Sequence, residues 1–371
     1  MRLPLALAAI LLVPPSGAAQ PNLEAAQPAG TLRWSIEPSG RAGRVQLEIS
    51  RRSGDNHWTV SHTVDAATLE GFSESALDGG GQVRFRILRD AGALDCEGVA
   101  RRGQAGGVCG FAPSATFVGA LAERGIGRPS LDEQFSMAMH DVGLAFVDEV
   151  RRQGYETPTA AELARAGGHG VTMDYLRGMG GHGYRVGRLA ALVRMRDHGV
   201  TPDYIAALAR HEVRDIPPDE VVRLRDHGVQ AEFVAELRQL GYRRLSTDEM
   251  IQLRDHGVTA DYVRTLAQNG ITDLAPAQLT RMRDHGVTPE FVVALRAAGY
   301  RFGADEIVRM RDHGVSGDYV GELRRLGYAD IGAEEIVRLR SHGVSTDFIR
   351  RANEGGGRLA PEELVRMRTG G

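Results

Sequence analysis

Residues 252–262 read QLRDHGVTADY, and residues 281–291 read RMRDHGVTPEF. Marking the histidine of this motif or its variant along the chain gives His140, His169, His198, His227, His256, His285, His313 and His342. Successive numbers differ by 29, except for a single step of 28 between His285 and His313. A register held through eight copies is the signature of a repeat architecture. A half-copy precedes them, since Ser114 to Ile126 aligns with Thr201 to Val213, and Pro361 to Arg368 repeats the first half of the unit once more.

Each unit reads as two helices. Ser246-Thr247-Asp248-Glu249 is a capping box that starts the first. Gly257 is placed to take the left-handed position after His256, with Val258 able to touch Leu253 in a Schellman ending. The second helix opens with Thr259, or with Thr201-Pro202-Asp203 and Thr288-Pro289-Glu290, which supply a cap, a proline at a position that loses no donor and an acid at the positive helix end. Phe233, Val234, Leu237 and Leu240 form a one-sided apolar stripe. So short a pair cannot bury that stripe alone, whereas stacked copies bury it continuously, and an α-solenoid is expected over residues 113–371. Glu212, in place of a glycine, and the crowded Gly178, Gly180 and Gly181 mark copies where irregularity or a softer joint is expected.

Upstream, the period is two. Val45, Leu47 and Ile49, then Trp58, Val60 and Val64, then Val83, Phe85 and Ile87 alternate with polar residues. Turn formers at Pro38-Ser39-Gly40, Ser53-Gly54-Asp55 and Asp78 to Gly81 separate them. Residues 31–112 are expected to form a small antiparallel β domain with one face packed and a short helix near Ala66 to Leu77, so the fold class is α+β, multidomain. With Arg102-Gly103 as a hairpin turn, Leu94 faces Phe111 and Cys96 faces Cys109 on the same side of the ribbon. A Cys96–Cys109 disulfide is expected, in keeping with an exported chain.

Export is read from the N-terminus. Arg2, the apolar run Leu3 to Val13 and the small residues Ser16-Gly17-Ala18-Ala19 have the pattern of a signal peptide over residues 1–19, with a flexible linker over 20–30. The run is too short to span a bilayer. A periplasmic or secreted protein is expected. The 371 residues carry a formal net charge of -3, with arginine as the sole cation besides histidine, and this balance does not favour nucleic acid as a partner.

The motif R-x-R-D-H-G-V-T-P-D-Y, followed by a helix ending L-x-x-x-G-Y, resembles a helical repeat of uncharacterised bacterial exported proteins. It also looks like the repeat tails of some BlaR-type antirepressor sensors, and Asp95 to Pro113 is similar to the β region that accompanies such repeats. The peptidase of those sensors is not implied here, since His211-Glu212 has no second histidine in H-E-x-x-H spacing.

One histidine per repeat places neighbours about 8–10 Å apart, too far to share a metal ion whose bonds are about 2 Å long. The eight histidines are therefore read as structural, able to bond the last carbonyls of their helices. Two arginine columns accompany them. Arg196, Arg225, Arg254, Arg283, Arg311 and Arg340 fall within the apolar sector and are expected to snorkel or pair with an aspartate of the adjacent repeat. Arg194, Arg223, Arg281, Arg309 and Arg338 face outward, interrupted by Gln252, and form the candidate contact stripe for a partner. No phosphate loop, cysteine-rich metal spacing or nucleophile elbow stands out, so no cofactor, metal site or catalytic residue is assigned. The expectation is an interaction scaffold contacting a protein or cell-envelope component; an accessory sensor of envelope or antibiotic-response signalling and a cell-wall hydrolase are the alternatives.

Overall fold

The computed structural model describes residues 31–53, 56–354 and 356–370. The expected signal peptide and linker, and Gly54-Asp55 of the second turn, lie outside the described residues. The chain divides into two compact units: residues up to Met173 with Gly187–Ala190, and Asp174–Val186 with Ala191–Gly371.

The first unit is built on six strands, β1 (Thr31–Pro38), β2 (Arg44–Ser53), β3 (Asn56–Asp65), β4 (Gly81–Arg89), β5 (Gly92–Arg101) and β6 (Gln104–Pro113), in one antiparallel sheet of order β3-β2-β1-β6-β5-β4. Between β3 and β4 the expected helical segment is a single 3-10 turn, Ala66–Thr68, and a short helix α1, Ser75–Gly79. Alternation sorts the strands into a buried face, including Ile36, Val45, Ile49, Phe85, Leu94 and Phe111, and an open one. The β5–β6 register pairs Leu94 with Phe111 and Cys96 with Cys109, as the alternation requires. Arg102 and Gly103 both have positive φ, so the two-residue turn has the twist that suits a hairpin.

Two glycines in this ribbon are set by close approach. The Trp34 indole on β1 reaches across β6 and donates to the carbonyls of Glu97 and Val108, both at 3.2 Å. A Cβ on Gly107 would stand 2.0 Å from the Glu97 carbonyl oxygen, and one on Gly98 2.2 Å from that of Gly106. Nothing larger fits at either position.

Cys96 and Cys109 are disulfide-bonded and buried. Closing a loop with a sequence separation of 13 stabilises such a hairpin by roughly 3 kcal/mol. Mass spectrometry of the unreduced protein from its native compartment should find the two cysteine peptides linked. Two free thiols there would refute the pairing.

Helix α2 (Ala115–Glu123) is the leading half-copy. The paired helices follow as α3 (Leu131–Met139) and α4 (Leu144–Arg152), α5 (Ala160–Gly168) and α6 (Met173–Gly181), α7 (Leu189–Asp197) and α8 (Pro202–Arg210), and α9 (Pro218–Asp226) and α10 (Ala231–Gln239). Then come α11 (Thr247–Asp255) and α12 (Ala260–Gln268), α13 (Pro276–Asp284) and α14 (Pro289–Ala297), α15 (Ala304–Asp312) and α16 (Gly317–Arg325), α17 (Ala333–Ser341) and α18 (Thr346–Asn353), and the closing half-copy α19 (Pro361–Thr369).

Within the first unit, α3 packs on β5 and β6: Phe135 lies 5.3 Å from the Phe111 ring and 5.9 Å from Trp58. Buried Gln134 donates to the carbonyls of Ala91 and Ser114, satisfying backbone where the sheet gives way to helices.

In the second unit, first helices pack on first helices of the next copy and second on second, forming two layers around a continuous apolar core. The end signals act as read. Ser246 and Glu249 close the capping box. Gly257 takes a positive φ, and the Val258 amide donates to the Leu253 carbonyl at 2.9 Å, the bond of a Schellman ending. The two copies marked as irregular keep the helix pair, each with a local departure, and the division into two units runs through the second of them. Glu212 adopts the left-handed conformation itself, keeping the turn. Helix α6 is as long as its neighbours, and Gly178 is a contact rather than a break: a Cβ there would stand 2.7 Å from the Pro202 ring.

Candidate functional site

The side chains of the repeated motif R-x-R-D-H-G-V bond from one repeat to the next. The first arginine bonds an acid at the start of the next first helix: Arg194 to Asp219 at 2.7 Å, Arg223 to Asp248 at 2.6 Å, Arg281 to Asp305 at 2.7 Å and Arg309 to Glu334 at 2.8 Å. These exposed pairs are worth about 0–1 kcal/mol each. Arg338 is exposed at the same position of the last full copy.

The second arginine reaches backward, and its partner differs from the expected aspartate. The Arg225 guanidinium lies 4.6 Å from the centre of the Tyr204 ring, and its Nε donates to the Gly199 carbonyl at 3.1 Å. Arg283 over Tyr262, Arg311 over Phe291 and Arg340 over Tyr319 repeat the arrangement, with Nε bonds to Gly257, Gly286 and Gly314. The arginine thereby caps a helix end of the preceding copy and covers its aromatic ring.

The aspartates are taken by histidine instead. Nδ1 of His198, His227, His256 and His285 lies 2.7, 2.8, 2.7 and 2.6 Å from a carboxylate oxygen of Asp226, Asp255, Asp284 and Asp312 in the next copy. Where Ser341 replaces the aspartate, His313 meets its hydroxyl at 2.9 Å. These side chains therefore cross to the next copy rather than turning onto their own last carbonyls. Among the described residues, no three His, Cys, Asp or Glu side chains converge as a metal site requires. His169 and His342 hold the cap positions of α5 and α17. His140, in the first unit, sits 6.2 Å from the Trp58 ring, and burial, then the nearby His62, lowers its pKa.

Valine and the aromatic residue close the set. The third residue of every second helix is aromatic: Phe146, Tyr175, Tyr204, Phe233, Tyr262, Phe291, Tyr319 and Phe348. Sequence reading did not single out this column, although its fixed place two residues after the helix start carries the signal. The Tyr204 hydroxyl donates to the carbonyl of Val229 in the next copy at 2.8 Å, and Tyr319 does the same to Val344 at 2.9 Å. Burial pushes Tyr204, Tyr262 and Tyr319 up to about 12, with the overlying arginine pulling the other way.

Tyr262 is the exception, because its buried hydroxyl has no hydrogen-bond partner among the described residues. Tyr204→Phe is expected to cost about 1 kcal/mol, the net worth of a buried hydrogen bond that also leaves Val229 unpaired, whereas Tyr262→Phe should be neutral or slightly stabilising. Denaturant unfolding of the two variants gives the comparison; equal losses would show that the two hydroxyls are alike.

Letter by letter, the motif is spent on holding repeats together. The chain matches no protein-family model, and no curated protein matches it.

Proposed function

We propose that the protein is an exported protein-interaction scaffold of the cell envelope, and that it meets its partner along the second helices. One contrast supports this reading. The third position of each second helix is always aromatic, but the fifth runs Asp148, Arg177, Ala206, Ala235, Arg264, Val293, Gly321 and Arg350. Val293 is 45% exposed. A column that changes chemistry from copy to copy on a uniform frame is where a repeat protein carries specificity. The outward arginines Arg194, Arg223, Arg281 and Arg309 each bridge to the next repeat; in the second-helix column Arg350 bridges to Glu322 and Asp148 pairs with Arg124, whereas Val293 lies open. The disulfide suits an oxidising compartment.

Affinity capture from the native envelope tests the reading. The double variant Arg264→Ser, Val293→Ser is expected to lose the captured protein at least tenfold with melting little changed. Arg223→Glu, Arg281→Glu, Arg309→Glu should keep it while melting lower. Undiminished capture by the first variant, or capture lost only in the second, would contradict the assignment.

A further inference from the structure

Two clefts one repeat apart lie at the C-terminal ends of second helices. The first, of about 160 Å3, is bounded by His182 and Arg214 and floored by Ile205, Leu208 and Val213. The second, of about 360 Å3, is bounded by the equivalent residues of the next copy, His211 and Arg243, together with Arg210 and Arg238. The repeat rule is broken here, as it is at Asp141 and Asp273 in other copies. Glu212 replaces glycine, and both it and Asp215 hold a positive φ, in a region that non-glycine residues avoid.

The charge here is arranged unlike that of the outward column, whose arginines carry acids of the next repeat. In the second cleft Arg238 is fixed by the Glu212 carboxylate and by the Arg243 carbonyl. The side chains of Arg210, His211 and Arg243 form no hydrogen bond or ion pair among the described residues. Glu212 is the one acid lining this cleft. Uncommitted guanidinium groups about a concavity are built to fork onto an oxyanion. The aliphatic floor of the first cleft suits an apolar side chain instead.

We propose that the two clefts together bind an extended segment of a partner protein, with an aliphatic side chain in the first and a carboxylate in the second. Neighbouring helices pack about 8–10 Å apart, which an extended chain covers in about three residues at roughly 3.3 Å each. The recognised pattern is therefore an aliphatic residue and an acid three positions away. A dense polyanion is disfavoured, because Asp215 and Glu212 stand in its path, whereas one carboxylate per segment avoids both. This inference rests on the scaffold reading and narrows it to a site and a ligand chemistry.

Fluorescence anisotropy of the full chain with the labelled peptide Gly-Glu-Ser-Ser-Leu-Ser-Ser-Glu-Gly tests it, since a carboxylate on either side of the leucine makes chain polarity irrelevant. Saturable binding is expected. It should weaken at least tenfold in Arg210→Ala, Arg243→Ala, whose melting should match the parent because neither side chain holds a partner. It should weaken equally when both glutamates of the peptide are changed to glutamine, and when leucine is changed to serine. Absence of saturable binding to the parent protein, indifference to either the arginine or the glutamate changes, or tighter binding of inorganic polyphosphate would overturn the proposal. A partner captured from the envelope that is indifferent to the two arginines would sink the cleft assignment and leave the scaffold reading in place.

Discussion

Above pH 10 the helical array is expected to unfold cooperatively, and its buried tyrosines are the cause. Burial is the first cause that raises Tyr204, Tyr262, Tyr300 and Tyr319 from the ordinary 10.0 to about 12. All four are nearly inaccessible, at 7, 3, 3 and 7% exposure. The folded chain keeps these protons while the unfolded chain releases them, so the unfolded state binds fewer protons between those limits and stability falls as pH rises. Below pH 10 both states are protonated and the penalty vanishes. At about two pH units each, the loss is on the order of 3 kcal/mol per residue by the upper limit, enough for four together to rival the whole stability of a typical domain. Tyrosinate absorbance and far-ultraviolet circular dichroism, followed in one titration, should change together between pH 10 and 12. Tyrosines that ionise near pH 10 with helix content intact would show that the hydroxyls are not held as described.

The second large effect is expected from Leu237→Ala. Leu237 is fully inaccessible and belongs to the core that runs through Leu253, Tyr262, Leu266 and Leu295. Emptying such a site costs about 2–5 kcal/mol, from lost burial and from the cavity left behind. Val293→Ala, at an exposed position, should stay within about 0.5 kcal/mol of the parent. Chemical denaturation separates the two. A Leu237→Ala variant as stable as Val293→Ala would mean that the second-helix stripe does not form the core.

Periodicity and end signals make the architecture legible in the sequence itself. His256-Gly257-Val258 announced a helix ending, Ser246 to Glu249 a beginning, and Arg102-Gly103 a hairpin whose two-residue alternation fixed the register of Cys96 and Cys109. Local signals suffice where partners are close in sequence. They fail where partners are a repeat apart. A helical wheel places Arg225 in the apolar sector but does not show that the Tyr204 ring and the Gly199 carbonyl wait there in the previous copy. Nor does it show that Asp255 is claimed by His227 rather than by an arginine. The pairing of β1 with β6, joining residues such as Trp34 and Gly107, was beyond the alternating pattern for the same reason. The close approach that reserves Gly98 and Gly107 for glycine lies within the β5–β6 ribbon, where the hairpin register sets the two opposite each other.

The central claim is that the repeated columns bind repeats and the variable second-helix column binds the partner. Site-specific photocrosslinking in the native envelope tests it most directly, with the photoreactive residue placed in turn at Arg264, Val293, Arg223 and Arg281. Crosslinks to one envelope protein from Arg264 and Val293, with none from Arg223 and Arg281, are predicted. Crosslinks confined to Arg223 and Arg281 would contradict the account.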